Sequence, residues 1–167
     1  MMSEQKQSEG AQAILLHVQD EMVKQAEKLV IELNLSKGEG LSKGRTQASK
    51  ALEVAQSAGS LRVFINWLRY QAGRERPNDK FWSKENKHEK DGQKKDKKEI
   101  SLAEAVAYEL GRLQQKVGQK LIGDSAQNEV IMQAVTRFLG YFRRALIGAD
   151  YLNEIQLAEL PNTEEGK

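Results

Sequence analysis

Leu102, Val106, Leu110, Leu113, Val117 and Leu121 follow one another at intervals of three or four residues. That repeat places apolar side chains on one stripe of an α-helix. The run opens on Ser101-Leu-Ala-Glu104, a capping box in which Ser101 reaches the backbone at Glu104 and Glu104 reaches back. Gly123 closes it. A stripe of this length must be covered, and the chain supplies partners of the same kind. Leu15, Val18, Met22, Ala26, Leu29 and Leu33 step by three or four through residues 11–35, ahead of the stop signal Ser36-Lys-Gly-Glu-Gly40. Ala48, Ala51, Leu52 and Ala55 mark a weaker helix over 41–58. Leu61, Phe64, Ile65 and Leu68 mark another, with Ser60 as its cap and Gly73 near its end. Ile131, Val135, Phe138, Phe142 and Leu146 carry the last long helix, capped by Asp124 or Ser125.

Two prolines in 167 residues, with Ala, Leu, Glu, Lys and Gln outweighing β-branched types, favour helices throughout. The expected fold class is all-α: a compact bundle of about five helices in one domain over residues 1–160, frayed over 1–10 and with a disordered tail over 161–167. Between the helices lies Asn78–Glu99, dense in lysine. So few apolar groups do not offset the entropy of ordering it, which predicts a charged, flexible loop over about 83–99. Phe81 and Trp82 at its start either fold back onto the bundle or stack on a base, and packing is favoured.

The net charge of +2 conceals a lopsided distribution. Residues 36–98 hold sixteen Lys and Arg against eight Asp and Glu, a net of +8, whereas 1–35 and 153–167 each carry −3. A basic middle draws polyanions. Arg62 and Arg69 sit seven residues apart, close to two turns, so both leave from one side of their helix. Arg74 and Arg76 follow at its end. Guanidinium suits phosphate because it stays charged and donates in a planar fork. Lys43, Arg45 and Lys50 open the preceding helix, and Arg137 and Arg144 repeat the seven-residue spacing in the last one. These nine residues are the candidate phosphate contacts: Lys43, Arg45, Lys50, Arg62, Arg69, Arg74, Arg76, Arg137 and Arg144.

Catalysis has little to work with. The sequence holds no cysteine and two histidines, His17 and His88. His17 reads as a surface residue beside Asp20 and Glu21, and His88 falls in the charged loop. Glu104 and Glu109 are explained by capping and solvation rather than as an acid–base pair. A Gly-x-Ser-x-Gly elbow, a phosphate-cradling glycine loop and a His-Glu-x-x-His motif are all lacking. The reading is a non-catalytic binder with no cofactor and no metal. No apolar run approaches the roughly 18–20 residues that cross a bilayer, and Met1–Gly10 has no apolar signal core. A cytoplasmic location without membrane anchoring is expected.

The turn Ala58-Gly59-Ser60 ahead of a basic helix also admits a helix-turn-helix DNA-binding regulator, with Arg62, Asn66 and Arg69 facing a groove. Lys50 and Gln56 occupy positions where that motif needs apolar side chains. A purely structural helical adaptor is the third reading.

At Tyr70-Gln-Ala-Gly-Arg-Glu75 the chain resembles the small-subunit family of type III CRISPR effector complexes, the Csm type. That family has an apolar helix ending in a Tyr-x-Ala-Gly-Arg pattern. Its final helix, rich in aromatic residues and alanine, is similar to Phe138-Leu-Gly-Tyr-Phe-Arg-Arg-Ala-Leu-Ile-Gly-Ala-Asp-Tyr-Leu152. Leu41-Ser42 with Arg45 loosely matches an earlier basic helix, so the resemblance spans roughly residues 41–152. It implies an RNA-binding subunit without an active site, whose stacked copies touch other subunits of a ribonucleoprotein and line the path of guide RNA and target RNA. Arg74, inside the matched turn, then either contacts RNA or holds the fold through a hydrogen bond.

Overall fold

The computed structural model describes residues 2–33, 41–88, 98–121 and 124–158, with the side chains of 2–8, 41–42 and 124–126 left aside. Five α-helices occur among them: α1 (Met2–Glu32), α2 (Leu41–Ser57), α3 (Leu61–Arg74), α4 (Leu102–Gln119) and α5 (Asp124–Ile147). A short 3₁₀ turn, Ala149–Tyr151, follows α5. The expected all-α bundle of about five helices is what forms. Helix α1 runs from Met2 rather than from about residue 11, since the Glu, Gln and Lys there are good helix formers. The stop signal at 36–40, Gly123, the cap choice at 124–125 and the tail after 158 lie outside the described residues or side chains.

Helix α5 is the organising element. Val130, Ile131, Ala134, Val135, Phe138, Leu139, Phe142, Ala145 and Leu146 are all buried, covering far more of its circumference than one amphipathic stripe would. It packs against α1, α2 and α4. Each of those needs to give up only one face: Leu15, Val18, Met22, Ala26 and Leu29 from α1, Ala48, Ala51 and Ala55 from α2, and Val106, Leu110, Leu113 and Val117 from α4. Small alanines let α2 approach closely. Gly44 goes further, because a Cβ there would sit 3.2 Å from the Phe81 ring.

The segment expected to be a flexible loop is in part ordered. Strands β1 (Glu85–His88) and β2 (Lys98–Ser101) pair antiparallel, with Lys87 opposite Glu99 and His88 opposite Lys98. Residues 89–97 lie outside the described residues. The ladder continues into the neck of the hairpin through Leu102 N–H to the Lys84 carbonyl (2.9 Å) and Ala103 N–H to the Trp82 carbonyl (2.8 Å). An isolated two-stranded hairpin is marginal in water. Here His88 and Ile100 are buried against the bundle while Lys87 and Glu99 face solvent, the alternation of a half-covered strand.

Phe81 and Trp82 pack instead of waiting for a base. Both are buried. The Trp82 ring meets Phe81 edge-on at 4.8 Å and lies 6.3 Å from Trp67 and 6.5 Å from Phe142. Its indole N–H donates to Gln47 Oε1 at 3.1 Å, giving a buried polar tip its partner.

Candidate nucleic-acid interface

Ser60 starts α3 by accepting a hydrogen bond from the Val63 N–H at 3.3 Å. From that start the 3.6-residue repeat sorts the side chains. Leu61, Phe64, Leu68 and Gln71 are buried, while Arg62, Val63, Asn66, Arg69, Tyr70 and Arg74 are exposed. Arg62 and Arg69 do share a side. With Leu61 and Ile65 they form one wall of a groove whose other wall is Ala107, Gly111 and Gln114 of α4. The groove has an apolar floor and a cationic rim.

Arg74 does not join that row. Five residues beyond Arg69, it is turned roughly 140° around the helix axis. Its guanidinium lies 5.6 Å from the centroid of the Tyr70 ring, a cation–π contact. Together with Arg76 it borders a separate depression, flanked by Lys43 and Gln47 of α2, Gln71 of α3 and Asp79 of the turn beyond. The four guanidiniums expected on one face are thus divided between two sides of α3. Among the described residues none of the four is paired with a carboxylate.

The remaining candidates are scattered. Lys43 is committed to Asp79, in an ion pair of 2.6 Å and through the Asp79 carbonyl. Arg45 and Lys50 are exposed on α2 and Arg144 on α5, lining neither depression. Arg137 lies at a third groove, between the start of α5, the α2–α3 turn and α1, where its Nη2 donates to Gln12 Oε1 at 3.4 Å. The neighbouring Arg143 is tied down by a 2.8 Å bond from Nε to Ser49 Oγ.

Sequence reasoning missed the residues that fix this geometry. Beside Arg74, the Glu75 carboxylate accepts the backbone N–H groups of Phe81 (3.1 Å), Trp82 (3.1 Å) and Ser83 (2.7 Å), together with the Ser83 hydroxyl (2.8 Å). Three successive N–H groups form an anion-binding nest, and this nest is filled by the chain's own carboxylate. The fold-holding hydrogen bonds of the matched turn therefore belong to Glu75, while Arg74 stays at the surface.

His88 and Glu109 also depart from expectation. His88 is 2% exposed and Glu109 5% exposed, so neither is solvated. The His88 Nδ1 contacts Glu32 of α1, and Nε2 lies 3.2 Å from Glu109 Oε1 of α4. Arg112 approaches Glu109 at 3.5 Å and Glu21 at 3.7 Å, and Lys116 pairs with Glu21. Three carboxylates and three cations alternate across the α1–α4 seam. Burial alone would lower the imidazole pKa, but hydrogen bonds and charge from Glu109 and Glu32 push it up from 6.5 to about 9. At neutral pH His88 is an imidazolium. Both ring nitrogens are engaged, so it clamps the hairpin onto two helices.

No group of three His, Cys, Asp or Glu side chains among the described residues is arranged to hold a metal ion. No helix among them is long and apolar enough to cross a membrane. No family model, curated protein or solved structure matches the chain.

Proposed function

We propose that this protein is a non-catalytic RNA-binding subunit of a cytoplasmic ribonucleoprotein, meeting the phosphate backbone of RNA along α3. The observation that carries this reading is the set Arg62, Arg69, Arg74 and Arg76: exposed, clustered on one helix and the turn after it, and without a carboxylate partner among the described residues. Phosphate contacts of this kind position a protein on a strand without reading its sequence. The resemblance at Tyr70–Glu75 directs the reading further, to the small subunit of a type III CRISPR effector used in antiviral defence. Its partners there are guide RNA, target RNA, neighbouring subunits and stacked copies of itself.

Reversing Arg62, Arg69 and Arg74 to glutamate together tests the reading. Wild-type protein is expected to bind RNA weakly, with an affinity that falls as salt rises and with little sequence preference. The triple variant is expected to lose about tenfold or more of that affinity at low salt, with unchanged helical circular dichroism. Full retention of RNA binding overturns the proposal. A helix-turn-helix regulator instead demands a preferred DNA duplex. If random RNA competes as well as any duplex in a gel shift, that alternative fails. A structural adaptor predicts no affinity for either nucleic acid at physiological salt.

A further inference from the structure

We propose that the depression at the C-terminal end of α3 is a notch for one unpaired nucleotide of single-stranded RNA, with Gln71 in its lining as the group that meets a base edge and Tyr70, which lies outside the lining and touches it through Arg74, as the stacking platform. The inference rests on the RNA-binding reading above and narrows its ligand from RNA in general to a single strand.

Gln71 is the first ground. It is only 8% exposed, yet its amide makes no hydrogen bond to any described residue. Among the described residues no buried side-chain nitrogen or oxygen lacks a partner. Both statements hold together only if the Gln71 amide keeps some contact with solvent, and Gln71 lines the depression. A glutamine held by a buried stem and presenting an unused acceptor and two unused donor hydrogens has the complement of a nucleobase edge. Burial also spares it the entropy of being ordered on binding.

The second ground is Tyr70, 61% exposed in the turn before Arg74. The Arg74 guanidinium braces one face, leaving the other for a base, whose stacking on an aromatic ring tolerates any sequence. Arg74 and Arg76 border the same depression, within reach of the phosphates on either side of a base seated there. The Lys43–Asp79 ion pair closes the far wall. At about 290 Å³ the depression is on the scale of a small-ligand site. It accommodates one nucleotide and not the width of a duplex, whose bases are stacked on each other and closed to the ring.

The test compares a short unstructured single-stranded RNA with the blunt duplex of the same sequence, both dye-labelled, by fluorescence anisotropy at low salt. Wild type is expected to favour the single strand. Tyr70→Leu is expected to weaken single-strand binding about tenfold and leave duplex binding unchanged. Tyr70→Phe is expected to restore the affinity, since the ring is what stacks. Gln71→Leu, close in shape, is expected to weaken the single strand alone. Should it disturb folding, Tyr70→Leu decides, because that side chain is at the surface. Equal binding of both RNAs, with neither altered by Tyr70→Leu, overturns the notch while leaving backbone recognition standing. Binding to neither RNA overturns both.

Discussion

His88→Ala is expected to lower the unfolding free energy by about 3 kcal/mol or more at neutral pH, read as a lower denaturant midpoint. The imidazolium is nearly inaccessible and is shared by two carboxylates, one on α1 and one on α4. Deleting it leaves Glu32 and a buried Glu109 without the cation between them, with Arg112 beside Glu109. It also leaves β1 and β2 with Ile100 as their buried apolar anchor. The same interaction dictates a pH dependence. The His88 pKa is 6.5 in the unfolded chain and about 9 in the folded one, so the folded state holds the proton more tightly. Its contribution is complete below 6.5 and is lost as pH rises through about 9. Wild-type melting temperature is expected to fall across that window, and His88→Gln to flatten the fall. A wild-type curve as flat as that of His88→Gln would refute the clamp.

Glu75→Ala is expected to be nearly as damaging, at about 3 kcal/mol. Hydrogen bonds to an ionised acceptor contribute about 1.5–3 kcal/mol each, and Glu75 accepts four groups in a half-buried nest. The four do not add independently, because one side chain makes all of them. The loss would be felt at Phe81 and Trp82, whose backbone the carboxylate holds in place for the aromatic cluster. Glu75→Gln keeps an acceptor and loses the charge, so it should lie between wild type and Glu75→Ala. Unfolding followed by tryptophan fluorescence measures both. A change below about 0.5 kcal/mol, the ordinary surface value, would mean that the nest is not needed.

The contrast between these two residues and the helices shows which physical signals a sequence carries. Leu102, Val106, Leu110, Leu113 and Val117 announce their burial by spacing alone, and all five are buried. Ser60 and Ser101 announce helix starts by residue type and position, and both hydroxyls accept the N–H three residues on. Periodicity and capping are local, so they survive in one dimension. The hairpin has no such signature. Its anchor joins His88 to Glu32 across 56 residues and to Glu109 across 21. Each of the three, read in place, looks like one more charged residue in a hydrated stretch. Glu75 was hidden the same way, between two arginines that draw the eye. The seven-residue rule paired Arg62 with Arg69 correctly, whereas grouping Arg74 with them ignored the angle that five residues subtend. The Gln71 amide was invisible for a simpler reason: a polar residue at a core position can be recognised as unpartnered only when its surroundings are known.

The placement of α5 has a consequence for how the chain matures. Helices α1 and α2 bury their apolar faces chiefly against α5, and α4 shares its face between α5 and its other neighbours; α5 comes after all of them in the sequence. During synthesis from the N-terminus, α1 and α2 leave the ribosome before most of the surface that will cover them exists. The greasy stripes of α1 and α4 then meet water, one another or a chaperone until Phe138 and Phe142 arrive. Folding in the cell should therefore complete late and nearly all at once.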